Sequence, residues 1–185
     1  MHIPKKGLRA LGIAESYTGR SVSKLAGVVM RKDLRIDGFI FSTVTVGGMD
    51  ATTSVLRMVD ELERCDINFI MLSGCIIAWF NIINPGKIAQ ETGKPVICVT
   101  YEDSDGLLAE IRHHFPDDIE RISAYKNLGE RIRVKLHTQQ TIFIRCWGIE
   151  VCDGARLCND FTVEGKIPEP LRVARLCART LIPTS

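Results

Sequence analysis

Three apolar, strand-like segments joined by short connections constrain this chain more than any other feature. Leu8–Ile13, Lys24–Met30 and Ile36–Val46 are rich in Val, Ile, Leu and Phe, and Arg31-Lys32-Asp33 between the last two is a turn signal. Connections this short favour antiparallel pairing, because a parallel crossover needs a dozen or more residues. Gly47-Gly48 breaks the pattern, and Val55, Met58, Val59 and Leu62 then recur at helical spacing, which predicts a helix over about Ala51–Arg64.

Beyond that helix, Asn68–Leu72 and Pro95–Thr100 are continuous apolar runs, as expected of strands covered on both faces. Pro85–Thr92, stopped by Gly93, and Asp103–Phe115, with Leu107, Leu108 and Ile111 on one side, predict helices. The order β-β-β-α-β-α-β-α implies an α/β fold in which an antiparallel meander feeds parallel crossover units in one mixed sheet. The last third adds a hairpin, Arg131–His137 with Thr141–Trp147, then helices over Ile149–Phe161 and from Pro168-Glu169-Pro170 to a stop before Pro183. No linker or repeat interrupts residues 1–185, so a single domain is expected.

Composition narrows the class without naming a chemistry. With 45% hydrophobic and 25% charged residues, the chain is neither disordered nor collagen-like. Its longest apolar stretch, Ile67–Ile83, contains Asn68, Ser73, Gly74 and Asn81 and falls short of the roughly 20 apolar residues a spanning helix needs. Met1–Lys6 shows no leader pattern, so a cytoplasmic protein without a membrane partner is expected. The seven cysteines are odd in number, lack a C-x-x-C pair and sit largely in apolar company, which reads as buried thiols in a reducing compartment. Cys146, Cys152 and Cys158 recur every six residues, wider than the spacing of about two to four in structural zinc pairs.

A net charge of +2 argues against nucleic-acid binding by gross charge, yet it conceals an asymmetry. Residues 1–35 carry 8 Lys and Arg against 2 acids, residues 36–111 carry 4 against 11, and residues 112–185 carry 12 against 9. Basic ends around an acidic middle allow one positive face. Alternation in Arg131–His137 puts Ile132, Val134 and Leu136 toward the core and Arg131, Arg133, Lys135 and His137 on the other face. Arg145 on the return strand shares a face with Phe143 and Trp147, combining phosphate donors with rings that stack on bases or form a contact between copies of the chain. Arg172, Arg175 and Arg179 form a second basic stripe, on the last helix. Either stripe equally suits a solvated face.

The runs Leu11-Gly12-Ile13, Gly47-Gly48-Met49-Asp50-Ala51-Thr52, Met71-Leu72-Ser73-Gly74, Trp79-Phe80-Asn81-Ile82-Ile83 and Gly165–Ala174 resemble an uncharacterised, mainly archaeal family over nearly the whole chain. That family is similar, remotely, to endonuclease V, a magnesium-dependent nuclease of ribonuclease H-like fold. The resemblance implies Mg²⁺ or Mn²⁺ held by carboxylates at the strand ends, where divalent ions activate water and stabilise the leaving oxygen. It places an aspartate after the first strand, a glutamate before the first helix and an aspartate after the fourth strand. Here those places hold Ala14, followed by Glu15; Asp50, also a natural N-cap; and Ser73. Glu15 and Asp50 are thus the candidate catalytic and metal-binding residues, and two of three ligand positions lack a carboxylate. Ser73 and Asn81 are pocket candidates, Asn81 because an amide in so apolar a segment needs partners and tends to bridge backbone groups. The leading expectation is binding of DNA or RNA with nuclease chemistry lost or altered. The alternatives are an active Mg²⁺- or Mn²⁺-dependent nuclease using Glu15 and Asp50, and a small-molecule or protein-interaction module.

Overall fold

The meander forms as expected, in a computed structural model that describes residues 7–17, 19 and 21–181. β1 (Arg9–Ser16) pairs antiparallel with β2 (Val22–Arg31), matching Ile13 to Gly27, and β2 pairs antiparallel with β3 (Ile36–Thr45), matching Gly27 to Ile40. Helix α1 (Ala51–Glu61) crosses to β4 (Phe69–Ser73), which lies parallel to β1. A small hairpin, β5 (Ile76–Ile77) and β6 (Asn81–Ile82), and helix α2 (Pro85–Thr92) lead to β7 (Val96–Thr100), parallel to β4. Then come α3 (Leu108–His114), α4 (Ile119–Asn127), the hairpin β8 (Ile132–Lys135) and β9 (Thr141–Trp147), α5 (Val151–Asp160) and α6 (Glu169–Thr180). The hairpin joins the same sheet through β9, giving the order β3-β2-β1-β4-β7-β9-β8.

Strand alternation assigns each central residue to one of two cores. Leu11, Ile13, Ile70, Leu72 and Cys98 pack with Val55 and Met58 of α1 and Ile88 of α2. Ala10, Phe69, Met71, Ile97 and Val99 pack on the other face with Leu157 and Cys158 of α5, Phe161 and Leu171 of α6. Each fully buried Leu, Ile or Phe side chain contributes about 1.5–3 kcal/mol, so these two layers dominate stability. Helix α6 lies flush on β1 because residue 12 is glycine: a Cβ there would stand 2.6 Å from the Pro170 backbone carbon. The motif runs around Gly12 and Pro170 are therefore two sides of one contact.

Several expectations need correction. β1 continues to Ser16, past the expected end at Ile13, because Glu15 and Ser16 still pair with Leu25 and Lys24 of β2. The helix expected over Asp103–Phe115 begins only at Leu108, and α4 gave no apolar signal because its buried residue is Arg121 while Ile119 is 80% exposed. Ile132, expected in the core, is exposed because β8 is the sheet's edge. Among the cysteines only Cys75, Cys98 and Cys158 are buried; Cys65 and Cys152 are exposed, and none is in a disulfide. No described helix is long and apolar enough to cross a membrane. Met1–Lys6 and Pro183 lie outside the described residues.

Candidate nucleic-acid site at the strand ends

The C-terminal ends of β1, β4 and β7 lie side by side, where open α/β sheets hold ligands. Ile13 pairs with Leu72 and Ser73 with Val99, so Ala14, one residue further on, adjoins Ser73 on the α6 face. Ala14 is buried against Val28, Met30 and Ala174. Ser73 opens instead onto a cavity of about 490 Å³ that Glu15, Thr100, Tyr101, Glu102, Lys166 and Arg175 also line. Arg175 comes from α6 and Lys166 from its lead-in, both inside the Gly165–Ala174 motif or one residue beyond it.

The cavity's polar groups are unequally committed. Lys166 Nζ donates to the Tyr101 carbonyl at 3.0 Å and pairs with the exposed Glu102 carboxylate. The Arg175 guanidinium carbon stands 5.7 Å from the Tyr101 ring centroid. The Tyr101 hydroxyl is buried and makes no well-formed hydrogen bond. Burial pushes its pKa up to about 12, against smaller lowering influences from the Ser73 hydroxyl and the Arg175 charge, so it stays a protonated donor. Burial also raises Glu15, and this outweighs the hydrogen bonds its carboxylate accepts from Ser23 Oγ and the Ala78 N–H.

Asp50 and Asn81 belong to a different assembly. Asp50 occupies the N-cap position of α1 without capping it. Its carboxylate accepts from Thr45 Oγ1 at 2.8 Å and from Asn81 Nδ2 at 2.6 Å. Burial alone would raise Asp50, but these bonds together hold it below the usual carboxylate range. Asn81, fully buried, caps the helix instead: its Oδ1 accepts from Ala51 N–H at 3.1 Å while Nδ2 also donates to the Thr45 carbonyl at 2.9 Å. Between β5 and β6, Ala78, Trp79 and Phe80 all adopt left-handed backbone angles, at φ 42°, 59° and 62°, an unfavourable run for residues with a Cβ. Buried Arg121 holds this turn, donating to the carbonyls of Phe80, Gly48 at 3.0 Å and Gly47 at 2.8 Å, with Asp118 on its Nε at 2.9 Å. Trp79 remains half exposed beside His114.

Of the expected site residues, then, Glu15 and Ser73 share the cavity, whereas Asp50 and Asn81 share the knot; Ala78 bonds toward both, to Glu15 through its N–H and to Gly47 through its carbonyl at 2.8 Å. The donor set does not fit a divalent cation. Ala14 offers no donor, a serine hydroxyl is a poor one for Mg²⁺, Asp50 is bonded to Thr45 and Asn81, and no three acids, histidines or cysteines converge among the described residues.

The basic residues are dispersed more widely. Arg131 donates to the carbonyls of Glu102 at 2.9 Å and Ser104 at 2.7 Å and lies over the Phe143 ring at 5.0 Å. Arg145 donates to the Gly129 carbonyl at 2.9 Å, and His137 bonds to Asn159. Arg133, Lys135 and Arg179 are exposed, and Arg172 pairs with Glu169 at 2.7 Å. The main cavity adjoins a depression of about 160 Å³ through Gly74, Thr100 and Ser104. That one shares Arg131, Arg145 and Tyr125 with a third, of about 340 Å³ beside Phe143, so a groove of adjoining depressions runs from Arg175 to the hairpin. Residue patterns alone passed over Tyr101, Lys166 and Arg121. Tyr101 directly follows a buried strand, and Lys166 lies inside the Gly165–Ala174 run, so both carry a sequence signal; an arginine as a helix's buried residue leaves no periodic one.

The fold is a ribonuclease H-like scaffold shared with endonuclease V. Human endonuclease V superposes with a TM-score of 0.65 over 95% of this chain and 84% of its own, at 14% identity. The Ciona intestinalis enzyme, in complex with an inosine-containing DNA, gives 0.62 over 95% and 86% at 12% identity. Within that class the chain belongs to the endonuclease dU family, whose sequence profile matches residues 6–182. A UPF0215 protein of Pyrobaculum calidifontis is 38% identical, covering 91% of this chain and 93% of its own. A protein of unknown function from Archaeoglobus fulgidus superposes with a TM-score of 0.83 at 25% identity, over 96% and 99% of the two chains. The resemblance read from the motif runs is borne out.

Proposed function

We infer that this protein binds single- or double-stranded nucleic acid along the groove from Arg175 to Arg131 and Arg145, and that two-metal hydrolysis at its strand ends has been lost. The run of adjoining depressions carries the reading, since it joins two basic constellations separated in sequence. Guanidinium groups with Phe143 beside them supply what a strand requires, phosphate donors and a ring surface. Five acids line the same groove, Glu15, Glu102, Asp103, Asp105 and Glu130, of which all but Glu15 are exposed. Glu102 and Asp103 are exposed, at 82% and 83%, and exposed ion pairs are worth about 0–1 kcal/mol, so a phosphate displaces them readily. Membership of a family described as endonuclease dU and likeness to a DNA-bound endonuclease V support the choice of partner.

Fluorescence anisotropy with labelled oligonucleotides, plain or carrying deoxyuridine or inosine, tests the reading. Binding is expected at low salt, weakening steeply between 50 and 200 mM and weaker still in Arg131→Ala and Arg145→Ala, at two residues that line the groove. Absence of binding to every oligonucleotide at low salt overturns it. Cleavage that requires Mg²⁺ or Mn²⁺ and disappears in Glu15→Gln or Asp50→Asn overturns the loss of hydrolysis and establishes the nuclease alternative.

A further inference from the structure

The cavity contains one polar group that the folded chain leaves unanswered. Tyr101 Oη is buried and makes no well-formed hydrogen bond, the Ser73 hydroxyl being the one protein group close enough to influence it, although roughly nine in ten or more buried polar groups are fully bonded. Next to it stands a cation without an opposing charge: Arg175 lies over the Tyr101 ring and forms no ion pair with a described residue. Ser73 adds a hydroxyl to the same wall. A neutral ligand atom would satisfy the tyrosine but not the arginine, whereas a tetrahedral anion with several acceptor oxygens satisfies both.

We propose that Tyr101, Arg175 and Ser73 form a metal-free seat for one phosphate group of a nucleic-acid strand, at the strand ends where a nuclease of this fold would need carboxylates and cations. The proposal rests on the nucleic-acid reading above and names the group recognised. Two acids at positions 14 and 73 would repel a phosphate unless cations intervened; Ala14 and Ser73 remove that repulsion. Arg175 then supplies directly the positive charge that metal ions would otherwise bring. Of the two acids that line the cavity, Glu15 has its carboxylate turned to Ser23 and Ala78, and Glu102 pairs with Lys166. Because Tyr101 stays protonated to about pH 12, it donates throughout the working range.

Tyr101→Phe is the decisive variant, since it removes one oxygen and little else. Oligonucleotide affinity is expected to fall about tenfold, the worth of a hydrogen bond to a charged group, while the melting temperature of the free protein rises because an unpaired buried hydroxyl is gone. A merely structural tyrosine gives no such opposed pair of effects. Arg175→Gln should weaken binding at least as much and lower the slope of log affinity against log salt by about one. Glu102→Gln should tighten binding by releasing Lys166. If oligonucleotides bind and both Tyr101→Phe and Arg175→Gln bind as well as the parent, the seat is wrong and the nucleic-acid reading stands. If only inorganic phosphate or a mononucleotide binds, and binding depends on Tyr101, the strand reading fails and the phosphate seat stands. A lower melting temperature in Tyr101→Phe shows that the hydroxyl has a partner and overturns the seat's premise.

Discussion

Around the Ala78–Phe80 turn, Asn81 meets Ala51, Thr45 and Asp50, and Arg121 meets three carbonyls and Asp118; beneath Arg175 of α6, Tyr101 Oη makes no well-formed hydrogen bond with the chain. Both regions are built from polar groups at strand and helix ends, and both contain residues of the family's motif runs. They differ in whether the chain itself completes the hydrogen bonding. A closed knot spends its polar groups on holding an otherwise unfavourable left-handed turn in place, so its residues are structural even where the fold would suggest catalysis. An open cavity keeps donors available for something that is not the chain. An acid at the expected position before the first helix, Asp50, is therefore a weaker functional sign here than a buried hydroxyl without a well-formed hydrogen bond.

The largest expected effect lies on the closed side. Arg121→Ala removes a buried cation and exposes the carbonyls of Gly47, Gly48 and Phe80 to an unfilled space, while Asp118 loses its partner. Breaking a buried, hydrogen-bonded charge costs about 3–5 kcal/mol, to be read from urea unfolding midpoints. Nucleic-acid affinity of the folded fraction should be unchanged, because Arg121 does not line the groove. A small loss of stability would mean that the turn persists without its clamp and that the comparison between closed and open sides is overdrawn.

An intermediate effect is expected on the open side, where α6 rests on β1. Gly12→Ala drives a Cβ to within 2.6 Å of the Pro170 backbone, which cannot swing aside as a side-chain tip would. Overpacking of this kind costs about 1–3 kcal/mol. Moving α6 also moves Arg175, and Lys166 rides on the segment leading into it, so stability and oligonucleotide binding should fall together. Binding retained at full strength in a destabilised Gly12→Ala would detach the cavity from the helix that is argued to shape it.

How much of this was legible in the sequence follows from which interactions leave a pattern. Alternation and helical spacing fixed the meander, α1, α2 and the buried strands, because side chains that face a core repeat with the backbone's own period. The same logic failed where the buried residue is charged, as in α4, and where an alternating strand turned out to be an edge, as at Ile132. In the site, the positions lacking carboxylates were readable because they are single residues at strand ends. What Asp50 does was not, since its partners Thr45 and Asn81 are brought to it by tertiary structure. Tyr101 is the clearest case: its significance is a missing hydrogen bond, and an absence in space has no trace in sequence.

The smallest effect separates the two acids by sign. Glu15 has a raised pKa in the folded protein, so the fold binds its proton more readily than the unfolded chain does. Its contribution to stability is therefore full below the ordinary value of 4.5 and is lost as pH rises through the raised value. Asp50 runs the other way: its pKa is lowered, so its contribution is present above 3.8 and is lost as pH falls through the folded value. Melting temperatures measured across this acidic range should show the two slopes, and each variant should delete one. Glu15→Gln flattens the decline on the upper side, and Asp50→Asn flattens the decline on the lower side, on top of the constant loss from its bonds to Thr45. Identical slopes for the two variants would mean that the acids share one environment, as a joint metal site demands, and would return Asp50 to the cavity.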